Sequence, residues 1–264
     1  MGRRAVVTAG TGGIGLETAS GLADAGFAVT VVGRNGERGA QAVERINARG
    51  GEEARFLQAD LSSLDEVRAL AAVIAGEGEL DVLVNNVGAM FADRVDLDGV
   101  EGSFVVNHLS PYLLTELLLP VLTDRVVNVT SGAVVAARKV FEAVEPPGGY
   151  YGFHWYGRAK LANLAYTLEL ARRLEGTGVK VGLRVLWPLV RRTFEKSTSG
   201  PADVAARSSI VAATGDLPSG TVIGRHAAPV KPAKTAADLK VQRAVRRLSE
   251  RYAPLGRVPD GVSN

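Results

Sequence analysis

The first 26 residues constrain the fold more than any other part of the chain. Arg4–Ala9 is a short apolar run, Gly10-Thr11-Gly12-Gly13-Ile14-Gly15 is dense in glycine, and 14–25 has the pattern of a helix that stops at Gly26. A strand that passes through such a loop into a helix turns tightly and leaves the helix N-terminus open to an anion. The same alternation continues downstream. Apolar runs at 28–32, 54–57, 81–84, 125–129, 179–186 and 221–223 predict further strands. Helical patterns cover 37–49, a stretch after a Ser62 or Ser63 cap, 97–122, 156–174, 202–213 and 236–252.

The strands are continuous apolar runs, as when both faces of a sheet are covered. The expectation is therefore an α/β fold, a Rossmann-type doubly wound parallel sheet of about seven strands with helices on both faces. No linker or repeat divides residues 1–264, so they are read as one domain. Ligands of such sheets bind beyond the carboxyl ends of the strands.

Bulk properties exclude several classes. The net charge is only +3 and no basic run stands out, so no nucleic-acid partner is expected. Zero cysteines exclude disulfides and thiolate chemistry, and three histidines without ligand spacing argue against a metal. A strand begins almost directly after Met1, which leaves no room for a signal peptide. The longest apolar stretch, Leu113–Leu122, is interrupted by Glu116 and Pro120 and is too short for a membrane span. A cytoplasmic protein is the resulting expectation.

The residues after the strands predict a nucleotide site. The loop from Thr8 through Gly10, Thr11, Gly12, Gly13, Ile14 and Gly15 lies between strand and helix, where a pyrophosphate can approach the backbone. At the end of the second strand stand Gly33-Arg34-Asn35, with Arg38 one turn on. An acid there would bind a ribose 2′-hydroxyl, whereas arginine suits a 2′-phosphate, so NADP(H) is predicted over NAD. Asp60 and Leu61 follow the third strand, and Asp60 either accepts from the adenine amino group or caps the next helix.

Tyr156 and Lys160 sit four residues apart on a helical run and share its face. An ammonium beside a phenol favours the phenolate and lowers its pKa, which fits proton transfer near neutral pH. Six tyrosines and seven lysines can supply that spacing by chance, so the pair gains meaning only from its surroundings.

Taken together these residues resemble the short-chain dehydrogenase/reductase family in its compact single-domain form. The family's T-G-x-x-x-G-x-G maps onto Thr8–Gly15, and its N-N-A-G onto Asn85-Asn86-Val87-Gly88. Its helix asparagine maps onto Asn107, its serine onto Ser131, and its Tyr-x-x-x-Lys onto Tyr156 and Lys160. The resemblance implies catalytic roles for Ser131, Tyr156, Lys160 and Asn107. It implies cofactor contacts from Asn86, Val87, Gly88, Tyr156, Lys160, Pro188 and Thr193, besides the glycine loop, Arg34, Asn35, Asp60 and Leu61. The implied reaction is hydride transfer between NADP(H) and a ketone or secondary alcohol. Tyr156 would move the proton, Ser131 would polarise the carbonyl, and Asn107 would hold a relay water for Lys160.

Ala9 replaces the first glycine of the loop, Val87 the alanine of N-N-A-G, and Leu189 the glycine after Pro188. A catalytically weakened NADP-binding regulator or scaffold is the alternative that Ala9 and Leu189 raise. Ser131 and Tyr156 are 25 residues apart, which resembles the retinol-dehydrogenase-like branch with its insert. That insert carries Phe141, Tyr150, Tyr151, Phe153 and Trp155. They either pin the loop to the core or wall a pocket for a bulky apolar or aromatic, polyketide-like substrate. His108 and His154 are expected to be structural or substrate-contacting. A substrate loop or lid is expected at 188–215. By resemblance the helices around 97–122 and 156–174 would form a homodimer or homotetramer interface.

Overall fold

In the computed structural model, residues 2–137, 141–145, 148–186, 202–224 and 226–256 are described. The strands are β1 (Arg3–Thr8), β2 (Phe27–Gly33), β3 (Arg55–Gln58), β4 (Leu80–Asn85), β5 (Asp96–Leu97), β6 (Val100–Glu101), β7 (Leu122–Ser131), β8 (Lys180–Leu186) and β9 (Val222–Ile223). Seven of them form one parallel sheet in the order β3-β2-β1-β4-β7-β8-β9. The order reverses between β1 and β4, the switch point where such sheets open a crevice. Val6, Val7, Val31, Val32, Leu83, Val84, Val126 and Val127 are buried, as both-face burial of a parallel sheet requires.

Each face carries its own core. Helices Gly13–Asp24, Gly36–Asn47 and Ala202–Thr214 cover one face through Leu16, Leu22, Ala42, Ile46 and Ala212. Helices Leu64–Gly76, Gly102–Val121, Gly152–Arg173 and Leu239–Tyr252 cover the other. Asn35 and Ser63 cap their helices, accepting from Arg38 N and Glu66 N.

The structure departs from the expected elements on either side of the long central helix. The helix predicted at 97–122 starts at Gly102, because residues 96–101 form the antiparallel hairpin β5–β6. Its turn residues Asp98 and Gly99 have φ of 54° and 80°, the positive pair a tight hairpin turn demands. Strand β7 begins at Leu122 rather than 125. Gly102–Val121 is long and apolar enough to cross a membrane by length and composition, yet its most apolar window is 78% buried inside the fold. The helix expected at 202–213 is present as Ala202–Thr214, with Ala205, Ala206, Ser208, Ala212 and Ala213 buried, and it forms the rear of the expected substrate loop. Its front, including Pro188, Leu189 and Thr193, lies outside the described residues.

The terminal helix packs along one side of the helix pair expected to meet a second copy. Leu239–Tyr252 packs on Gly152–Arg173, with Arg246 Nη1 3.2 Å from Glu169 Oε1, Arg172 bonded to Gln242, and His108 Nε2 2.8 Å from Ser249 Oγ. Residues 102–116 are buried within one chain.

His108 is fully enclosed by Phe104, Tyr112 and Tyr166, and burial pulls its pKa down to about 3. It is a structural histidine, as expected. The unfolded value is near 6.5, so below that pH the unfolded chain binds a proton the folded chain refuses. The stability it permits is present above pH 6.5 and is lost as pH falls towards 3, by up to about 1.4 kcal/mol per pH unit. Melting temperatures from pH 7 to pH 4 should therefore fall more steeply for the native chain than for His108→Gln. Parallel curves would contradict this.

Candidate active site

The glycine loop gives the site its phosphate end. Gly12, extended at φ −176°, precedes the helix Gly13–Asp24. It offers no side-chain cap, and the first helical turn holds no acid. The N–H groups there are left for an anion. Gly15 is held by a close approach: a Cβ on it would lie 2.2 Å from Ala9 O and 2.5 Å from Asn86 Nδ2. Ala9 has φ of 49°, a left-handed conformation that costs a non-glycine residue about 1–2 kcal/mol.

Thr8 works behind the loop. Its Oγ1 accepts from Asn86 N at 2.9 Å and Val87 N at 3.2 Å, while Asn86 Nδ2 donates to Thr8 O at 3.2 Å. These bonds tie the end of β1 to the segment after β4. A cleft of about 450 Å³ opens in front of them. Of the predicted residues, Thr11, Gly12, Arg34, Asn35, Asp60, Leu61, Val87 and Gly88 line it. Thr8, Gly10, Gly13, Ile14, Gly15 and Asn86 do not, and the bonds just described make Thr8 and Asn86 supports of the cradle.

Arg34 and Arg38 both face the cleft and both are exposed. Arg34 lies 4.0 Å from Asp60, an exposed and weak pairing. Asp60 itself accepts from Ser62 N at 2.9 Å and Ser62 Oγ at 2.8 Å, so it closes a turn instead of capping the helix. The remaining wall is apolar: Ala89, Phe91, Leu97 and Val106. None of these was singled out from sequence. Their only signals were the apolar run after Gly88 and the Asp98-Gly99 turn that carries Leu97 into place.

The second half of the site is the cluster of Ser131, Tyr156 and Lys160, in which Ser131 and Lys160 are buried and Tyr156 is half-buried. Lys160 Nζ donates to Val87 O at 3.0 Å and Val129 O at 3.1 Å, and burial lowers its pKa to about 7. Tyr156 lies one turn earlier, with Lys160 Nζ 5.9 Å from its ring centroid. Its hydroxyl is hydrogen-bonded to Ser131. Burial raises the Tyr156 pKa, and the Ser131 bond opposes that. The lowering expected from Lys160 is therefore not the dominant influence in the free chain, because burial drives both groups towards their neutral forms.

Asn107 sits in a π-helical stretch, Val105–Leu109. Its Nδ2 donates to Ala89 O at 2.7 Å and Ser103 O at 2.9 Å, and its Oδ1 accepts from Ala89 N at 3.1 Å. With both amide hydrogens engaged, the side chain positions the segment after β4 and has no donor left for substrate. Gly88 is the meeting point. A Cβ there would be 3.6 Å from Asn107 Oδ1 and 3.7 Å from Lys160 Nζ. Val87 and Gly88 thus join the cleft to the Ser131–Tyr156–Lys160 cluster.

Several aromatics of the insert pack against the core. Arg158, fully buried, lies over Phe104 and Phe141 at 4.9 and 4.8 Å and donates to Val144 O and Ala143 O, both at 2.7 Å. Tyr150 stacks on Trp155 at 5.6 Å and donates to Glu101 Oε1 at 3.2 Å. Tyr151, 58% exposed, meets His154 edge-on and remains open to solvent.

Residues 3–188 match the short chain dehydrogenase family. The mouse protein retinol dehydrogenase 12 is 39% identical over 185 residues, covering 67% of this chain and 58% of that protein. The chain spans about half the length of such curated relatives. An uncharacterized protein of Mycobacterium Paratuberculosis superposes with a TM-score of 0.82 at 32% identity, covering 94% of this chain and 92% of that one. A short chain dehydrogenase from Burkholderia cenocepacia J2315, solved in complex with NADP, gives 0.69 at 25% identity, covering 85% and 96%. The chain is a member of the short-chain dehydrogenase family.

Proposed function

We propose that this family member is an NADP(H)-dependent ketoreductase that transfers a hydride between the nicotinamide and a ketone or secondary alcohol. The observation that carries the reading is continuity. One cleft has Arg34 and Arg38 at its phosphate end, and its other edge, Val87–Gly88, is held by Lys160 of the proton-transfer cluster. The uncapped helix N-terminus and two arginines suit a pyrophosphate and a 2′-phosphate. The NADP complex of the Burkholderia relative supports that choice.

When bound, the nicotinamide nucleotide supplies the hydride in reduction and takes it up in oxidation. The chain's own residues handle the proton and the orientation. Tyr156, protonated at neutral pH because burial raises its pKa, gives its hydroxyl proton to the carbonyl oxygen. Ser131 aligns that hydroxyl and polarises the carbonyl. Lys160 in its protonated form places positive charge beside the developing phenolate, and solvent returns the proton that Tyr156 gives up. The relative named for retinol supports a bulky apolar substrate, with Tyr151 as the exposed aromatic nearest Tyr156 in sequence.

The test of the cofactor assignment is Arg34→Ala with Arg38→Ala. Losing charge-assisted bonds worth about 1.5–3 kcal/mol each should raise the KM for NADPH at least tenfold and leave that for NADH unchanged. An equal effect on both nucleotides would refute a 2′-phosphate site.

A further inference from the structure

The helix Leu239–Tyr252 has two faces of opposite character. Gln242, Val245, Leu248 and Ser249 are buried against the neighbouring helices. Lys240, Arg243, Arg247 and Arg251 recur at helical spacing on the opposite side, and all four are exposed. Among the described residues none of the four joins an ion pair. The nearby acids are otherwise engaged, Asp238 as the helix cap bonded to Lys240 N and Glu250 as the partner of Arg246. Lys231 and Lys234, also exposed, extend the patch from the N-terminal side.

Charge is concentrated here. Residues 231–251 hold seven Lys and Arg against Asp238 and Glu250, a net of +5. The whole chain is +3, so everything outside this segment carries a net −2. The sequence shows no basic run because the cations are three or four residues apart; only the helix brings them into one stripe, about 16 Å from Lys240 to Arg251. Of the seven large hydrophobic residues exposed among the described residues, Leu239, Leu255 and Val230 bracket this stripe.

We infer that this face docks on an anionic phospholipid bilayer. A straight row of cations complements a plane of acidic headgroups, and exposed apolar side chains at both ends can enter the interfacial layer. The stripe lacks interleaved exposed aromatics on which nucleic-acid bases would stack, since Tyr252 is half-buried and lies against Arg251. The buried face of the helix is committed to the core, so docking is electrostatic and superficial and no segment is inserted. This inference does not depend on the cofactor or substrate assignment.

The test is cosedimentation of the full chain with phosphatidylcholine vesicles, with and without phosphatidylserine. The protein should pellet with the anionic vesicles only and be released by high salt. Each cation near an anionic surface is worth about a fivefold factor in partitioning, so K240E/R243E/R247E/R251E should weaken binding at least about a hundredfold. Unchanged melting temperature and an unchanged circular-dichroism spectrum would show that variant to be folded. K240Q/R247Q/R251Q provides a milder second variant, with an intermediate loss expected. Absence of binding to anionic vesicles, equal binding to neutral ones, or unaltered binding of a folded variant would overturn the inference. So would retention on heparin without any vesicle binding.

Discussion

Tyr156→Phe should lower carbonyl reduction about 10²–10⁴-fold, the range for removing a positioned general acid. The loss should fall on kcat, because the phenol acts on the oxygen only as the bond order changes. Stability should hardly move. The Tyr156 hydroxyl interacts with Ser131, and Ser131 Oγ keeps its second bond, from Ala133 N at 3.2 Å. Burial raises the pKa of the phenol, so replacing it by an apolar ring removes a group the interior does not favour ionised. The expected result is an inactive variant with native melting temperature and native NADPH affinity. A variant that turned over normally would remove Tyr156 from the chemistry.

Arg158→Ala should be the most destabilising single change near the site. The guanidinium is 1% exposed, and burial lowers its pKa to about 10, which leaves it charged at neutral pH. It lies among Phe104, Phe141 and Trp155 and holds the carbonyls of Ala143 and Val144. Glu101, fully buried, contributes an attractive charge and is bonded by Ser103 N, Phe104 N and Tyr150. Removing the cation leaves the buried Glu101 carboxylate less well compensated and takes the donor from two part-buried carbonyls, a change that costs about 3–5 kcal/mol. Thermal unfolding should drop by roughly 10 °C or more for a chain of this size. Arg158→Met restores much of the volume and should cost less, since only the polar contacts are lost. If alanine and methionine had equal, small effects, the insert would not be anchored by this residue.

The parts of the fold that were legible in sequence are those with a local cause. Strands buried on both faces read as unbroken valine and leucine runs, and helix stops were marked by glycine. The hairpin Asp96–Glu101 is marked in sequence only by its Asp98-Gly99 turn, because the apolar pattern of the following helix runs back through Leu97 without a break. Tyr156 and Lys160 were legible as neighbours on a helix. What Lys160 does to Tyr156 was not, because desolvation depends on what covers the two groups. Asn107 was placed correctly, but only the structure shows its amide spent on Ala89 and Ser103. The terminal helix illustrates the same limit: its cations are scattered in sequence and aligned only by folding. Its docking on the core comes from contacts such as His108–Ser249, which are 141 residues apart.

The central claim is that cleft and proton-transfer cluster form one working site. NADPH oxidation by the purified chain, measured against a panel from small polar ketones to bulky apolar carbonyls, tests it most directly. NADPH should be consumed with the bulky apolar members, with NADH a poor substitute. Thermal stabilisation by NADPH without consumption against any carbonyl would contradict it and leave a nucleotide-binding protein without turnover.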